Sequence, residues 1–264
     1  MSDQAEKLRQ RMRKLRDPLK DMKRVAIVGA QAHARVALFS YNLAMAFLNQ
    51  EGAPLILEEE STNRGEEHLN VLLNLQDLIE VDEKLGNRLF FEGTKMTQSE
   101  GVSILSLPVS KLLDQESDYS QLGLFLGKQT PPHQSVFWVQ YSFRETNFQE
   151  WFDPSCLLIV TKGDPTDLVS AYTIIKDLHS RNKELAIGVV VTQVDNENLA
   201  LTAYETLNAV SLRFLEKQLV YCGALTKSHG DTTPLIKDWF GRGTHTPTIY
   251  EDCRRFISQG TVTT

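Results

Sequence analysis

The sequence predicts a doubly wound α/β domain: a mainly parallel sheet with helices on both faces. Three observations lead there. From residue 24 onward, short runs of Val, Ile and Leu alternate with longer amphipathic stretches. Several of those runs, 157–160 and 187–191 among them, are apolar without interruption, which means burial on both faces and therefore parallel strands covered by helices. The chain is 264 residues long, 41% hydrophobic and 23% charged, enough to build one large core without staples.

The first element precedes that pattern. Asp3 stands three residues before Glu6, the capping-box spacing, and good helix formers follow. Ala5, Leu8, Met12 and Leu15 recur at steps of three and four, a narrow apolar stripe between basic flanks, until Asp17-Pro18 ends it. Over residues 1–24, nine Lys/Arg against four Asp/Glu give a net charge of +5. The whole chain carries −6, which leaves −11 for the rest. Such an arm suits an acidic protein surface, anionic lipid or nucleic acid. A helix this short is marginal alone in water, so its stripe must dock, on a partner or on its own body.

Strands are expected over 25–28, 54–57, 102–105, 136–139, 157–160, 187–191 and 220–224. Helices are expected over 37–49, 66–75, 166–181, 196–216 and 233–240. A last segment places Ile249, Tyr250, Cys253, Phe256 and Ile257 on one helical face, with Glu251, Asp252, Arg254 and Arg255 on the other. It either packs back on the body or lies on a membrane, and in the second case Ile249, Tyr250, Phe256 and Ile257 would meet the lipid. The chain is thus divided into an arm over 1–23, an α/β domain over 24–245 and a terminal helix and tail over 246–264.

Several function classes find no support. No apolar run approaches the roughly 20 residues that cross a bilayer, and the start is polar and basic, so a cytosolic protein is expected. The three cysteines, Cys156, Cys222 and Cys253, lack C-x-x-C spacing and are expected as buried thiols. The six histidines are scattered, so no metal is assigned. No G-x-S-x-G elbow supports a hydrolase triad.

In such a fold, phosphates bind where the first strand passes into its helix, because backbone N–H groups and the helix N-terminus converge there. That loop reads Gly29-Ala-Gln-Ala-His-Ala-Arg-Val-Ala37. A phosphate cradle needs several glycines, a lysine and a magnesium-binding hydroxyl. One glycine is present and the other groups are not. His33 and Arg35 supply charge for weak anion binding, or are simply solvated loop residues.

Over essentially the full chain the sequence resembles the FlhG (YlxH) branch of the MinD/ParA-like deviant-Walker ATPases, which belong to the SIMIBI class of P-loop NTPases. The strand 24–28 and the Tyr41-Asn-Leu-Ala-Met-Ala46 segment stand where that family has its first strand and an Asn-Leu-Ala motif, with GKGGVGK[ST] between them. The alignment sets Gln31 at the signature lysine, Val36 at the Walker lysine and Ala37 at the magnesium hydroxyl. The family's Asp-x-Asp becomes Glu58-Glu59-Glu60, more simply a solvated remnant than an acid site. Its Asp-x-Gly becomes Gln140 and Ser142. Gly29, Ala30, Gln31, Arg35, Val36, Ala37 and Gln140 thus outline a degenerate nucleotide site with nothing to offset triphosphate charge.

Further segments match: 160–176 resembles the family's strand, E/D-P-T turn and A-Y helix, 189–194 its N-R-V strand, and 101–105 its G-hydrophobic-I-L element. The first residues, Asp3-Gln-Ala-Glu-Lys-Leu-Arg9, resemble the D-Q-A-x-x-L-R activator motif. In that family the motif stimulates FlhF, a signal-recognition-type GTPase that guides flagellar placement. The resemblance therefore implies a pseudo-ATPase that needs no cofactor. It would contact an FlhF-like GTPase through Asp3, Gln4, Ala5, Leu8 and Arg9, and flagellar basal-body proteins through its body. Nucleic acid is not an expected partner. With Gln31 and Val36 the ATP-driven dimer switch is missing, so a monomer is expected, cytoplasmic and at most weakly peripheral at the inner face of the plasma membrane. The competing reading is an active MinD/ParA-type ATPase in flagellar or cell-pole positioning.

Overall fold

The computed structural model describes residues 22–31, 35–51, 53–60, 79–80, 95–99, 101–108, 135–140, 154–226 and 248–260. The arm, and with it Asp3, Gln4, Ala5, Leu8 and Arg9, lies outside them, as do the helices expected over 66–75 and 233–240.

In chain order the described elements are β1 (Lys23–Gly29), α1 (Val36–Glu51), β2 (Pro54–Glu60), β3 (Ile79–Glu80), β4 (Lys95–Ser99), β5 (Val102–Pro108) and β6 (Ser135–Gln140). They continue as β7 (Cys156–Thr161), α2 (Pro165–Arg181), β8 (Ala186–Val194), α3 (Glu197–Leu215), β9 (Val220–Thr226) and α4 (Thr248–Gly260). The strands form one sheet in the order β3-β4-β5-β2-β6-β1-β7-β8-β9. From β5 to β9 every pairing is parallel. β4 and β3 add an antiparallel edge. Every strand expected from the sequence is present, and helices cover both faces, as the doubly wound class requires.

β1 is central, between β6 and β7, and Val25 to Val28 are fully buried because the sheet extends on both sides and helices cover both faces. One face packs Ala26, Val28, Leu157 and Ile159 against Ala171, Ile175 and Leu178 of α2 and Ala200, Ala203 and Leu207 of α3. The other packs Val25, Ile27, Phe137 and Leu158 against Phe39, Leu43 and Phe47 of α1 and Tyr250, Cys253 and Ile257 of α4.

The helix ends have local causes. Asp164 caps α2 by accepting from the Asp167 N–H at 2.9 Å, with Pro165 at the first helical position. Asn196 caps α3 by accepting from the Leu199 N–H at 3.0 Å, and Glu216 ends it in the left-handed region at φ 55°.

The terminal segment packs back on the body, one of the two outcomes expected for it: Ile249, Tyr250, Phe256 and Ile257 are buried in the core on the α1 side. Burying each such side chain is worth about 1.5–3 kcal/mol, and a lipid-bound α4 would give that packing up. Polar contacts fix the docking. Asn42 Nδ2 of α1 donates to Tyr250 Oη at 3.1 Å within the core, and Lys23 Nζ reaches Ser258 Oγ at 3.4 Å. Phe39 stacks on Tyr250 with ring centroids 5.9 Å apart. No described helix is long and apolar enough to cross a membrane.

The three thiols are buried, as expected. Burial pushes Cys156 up to about 12 and raises Cys253 and Tyr250 as well, because a thiolate or phenolate in this core would lose its hydration. These folded values lie above the ordinary ones near 9 and 10. The protonated, neutral groups thus contribute stability that is complete below pH 9 and is lost as pH rises toward 12. Urea midpoints should therefore be flat from pH 7 to 8.5 and fall steadily above 9. A midpoint unchanged to pH 11 would contradict the buried-thiol core.

Candidate functional site

The site to be tested is the carboxyl edge of the parallel strands, where β1, β6, β2 and β5 end side by side. Gly29 is the last residue of β1, and the Ala30 N–H, instead of facing a ligand, donates to the Val160 carbonyl of β7 at 2.9 Å. Gln31 is half-buried, and residues 32–34 lie outside the described set.

Arg35 opens α1. Its φ is 54°, in the left-handed region, and its carbonyl accepts from the Phe39 N–H at 3.1 Å, so it takes the N-cap place. A non-glycine residue here costs roughly 1 kcal/mol. Val36 and Ala37 follow at 3% and 1% exposure, packed in the α1-side core with Phe39. Ser40 Oγ donates to the Val36 carbonyl at 2.7 Å. Val36 and Ala37, which the resemblance would set at the Walker lysine and the magnesium hydroxyl, are thus buried positions in the first turn of α1.

The strand-end residues around this loop are polar and buried. Gln140 ends β6 fully buried, in register with Val28 near the end of β1. Glu58 of β2 is 1% exposed and accepts from Ser106 Oγ of the neighbouring β5. The expectation of a solvated glutamate trio is corrected at this residue, because β2 lies between β5 and β6 and leaves no open side.

A second group was missed by the sequence reading. In the first turn of α2, Asp167 is fully buried, and its Oδ2 reaches back to the end of β7, accepting from the Lys162 N–H at 2.7 Å and from Thr161 Oγ1 at 3.4 Å. Thr192 Oγ1 of β8 donates to the Thr161 carbonyl at 3.4 Å. With Asp164 capping it, the α2 N-terminus is already supplied with two carboxylates of its own. An incoming phosphate would meet like charge there, so the helix-end attraction for anions is spent internally. The signal was legible: Asp164-Pro-Thr-Asp167 has acidic groups at capping-box spacing around a first-turn proline.

Of the residues assigned to the degenerate site, the structure brings Gly29, Ala30, Gln140 and Arg35 to one edge and turns Val36 and Ala37 inward. No group of metal-ligating side chains occurs among the described residues.

No protein-family model matches the sequence, and no curated protein matches it significantly. Solved structures do match by fold. The MinC:MinD cell division protein complex of Aquifex aeolicus matches with a TM-score of 0.62 at 16% identity, over 89% of this chain and 96% of that one. A plasmid partition protein of Borrelia burgdorferi gives 0.61 at 11% identity, over 89% and 99%. The septum site-determining protein MinD of Pyrococcus horikoshii, complexed with Mg-ADP, gives 0.54 at 13% identity, over 90% and 94%. At these identities the likeness establishes the fold, that of the MinD/ParA P-loop proteins.

Proposed function

We propose that this chain is a pseudo-ATPase of the MinD/ParA fold that works by protein recognition, an FlhG-like regulator of flagellar placement or number. In this reading the helix with Asp3, Gln4, Ala5, Leu8 and Arg9 binds an FlhF-like GTPase and stimulates GTP turnover, and the α/β body contacts basal-body proteins. The observation that carries it is the pair Val36 and Ala37, core residues at the places where the family keeps its lysine and hydroxyl. Without them the P-loop fold has neither the cation that neutralises a γ-phosphate nor the ligand that holds magnesium. The sequence of residues 3–9 supports the choice of partner. The fold relatives named above, cell-division and plasmid-partition proteins, support a positioning role in the broader sense.

The test mixes the full chain with an FlhF-like GTPase and follows phosphate release. The parent chain should raise turnover severalfold, and Gln4→Ala with Leu8→Ala should return it to the basal rate by removing a polar and an apolar anchor of one helix face. Equal stimulation by parent and variant would overturn the assignment. The pseudo-ATPase part has its own test. A fluorescent ATP analogue should show no magnesium-dependent binding at micromolar concentration, and saturable binding would restore the reading of an active positioning ATPase.

A further inference from the structure

The face of the sheet that carries α2 and α3 leaves an apolar strip open. Leu201 and Leu212 of α3 are 40% and 43% exposed. They are eleven residues apart, three helical turns, and so lie on one side of the helix about 16 Å apart. That side adjoins β9: Tyr204 Oη donates to the Leu219 carbonyl at 2.9 Å, and Asn208 Oδ1 accepts from the Leu219 N–H at 2.9 Å. The strip is acidic on balance, since residues 195–219 hold Asp195, Glu197, Glu205 and Glu216 against Arg213 and Lys217.

We infer that residues 5–15 of the same chain cover this strip, so that the arm is held on α3 until a partner takes it away. Four properties of the molecule single out this occupant. The stripe Ala5, Leu8, Met12 and Leu15 would span about 15 Å as a helix, close to the length of the strip. Its flanks are basic where the strip is acidic, within a chain that divides +5 on the arm against −11 on the rest. The arm joins the body on this face: Met22, just before β1, packs against the α2/α3-side core. The reach is also sufficient. From β1 to β9 is three strand steps, about 14 Å, and the six residues 16–21 can extend to about 20 Å.

The direction of the chain then sets the pose. The body begins at the amino end of β1, the edge where α3 finishes, so Leu15 lies toward Leu212 and Ala5 toward Leu201. Ala5 and Leu8 are also the apolar residues proposed above to enter the GTPase. That consequence rests on the proposed function; the docking itself does not. One helix face cannot fill both sites, so the body masks its own activator, and a GTPase must compete for it.

The experiment needs no GTPase. Limited trypsin digestion of the full chain, read by mass spectrometry at Arg9, Arg11, Arg13 and Lys14, should be slow in the parent. It should be about tenfold faster in Leu201→Glu with Leu212→Glu, two substitutions at exposed positions. Glu205→Lys, a single surface charge reversal, should accelerate cleavage a few-fold and carries the test if the double variant fails to fold. Equal cleavage rates in the parent and in folded variants would overturn the inference. So would a parent rate that slows with protein concentration, because the strip would then be filled by the arm of a second copy. Once docking is shown, the double variant should stimulate the GTPase at lower concentration than the parent. Loss of stimulation by every form, with docking intact, would instead refute the proposed function alone.

Discussion

Val36→Lys, which puts back the residue type the P-loop family uses at this place, should destabilise the protein by about 3–5 kcal/mol and still give no magnesium-dependent nucleotide binding. The position is 3% exposed and belongs to the core that α1 shares with β1 and β6. An ammonium introduced there has no described anion to pair with and must either lose its hydration or push the first turn of α1 off the sheet. Had evolution replaced only the lysine and left its solvent-lined cradle, the same substitution would project into water and cost a few tenths of a kcal/mol. Urea denaturation and titration with a fluorescent ATP analogue separate the two cases. A variant as stable as the parent that binds magnesium and the analogue at micromolar concentration would show that the cradle persists and that one side chain silenced it.

Most of this architecture is written in short-range patterns. β7 and β8 announce themselves as uninterrupted apolar runs because each is flanked by strands and covered on both faces, so no position on them needs to be polar. β3 and β4 escape for the opposite reason. Lys95-Met-Thr-Gln-Ser99 is mostly polar and Ile79-Glu80 is two residues long, so neither offers a periodic apolar signal. Glu58 shows a different limit. Acidity at a strand end suggests solvent, and only knowing that β5 lies alongside, with Ser106 to donate to the carboxylate, makes it a buried residue. That residues 29–37 hold no lysine and no hydroxyl could be read from residue identity. That Val36 and Ala37 turn into the core could not, because it depends on how α1 sits against β1 and β6. For α4 the amphipathic face was legible and its target was not: an apolar helical face fits lipid and sheet equally, and its Tyr250 contact to Asn42 joins residues 208 positions apart.

That target is decided by Gly188. The residue is the third of β8, where a Cβ would stand 2.7 Å from Cys222 Sγ, 2.8 Å from Leu158 Cδ2 and 2.9 Å from Phe256 Cε1 of α4. No φ constraint asks for glycine here; the absence of a side chain is what lets α4 approach the sheet. Gly188→Ala should therefore cost about 2–3 kcal/mol, the upper part of the range for overpacking, despite alanine being the better strand residue. The strain should appear first as faster hydrogen exchange across 249–257, since α4 is held by side chains while β8 is held by two neighbouring strands. Cys222→Ala removes the nearest obstacle, so the pair Gly188→Ala with Cys222→Ala should recover more than 1 kcal/mol relative to the sum of the single changes. Additive effects, or an alanine at 188 that leaves both the urea midpoint and the exchange of α4 unchanged, would mean that α4 does not rest on β8, and would reopen the lipid surface as the place of its apolar face.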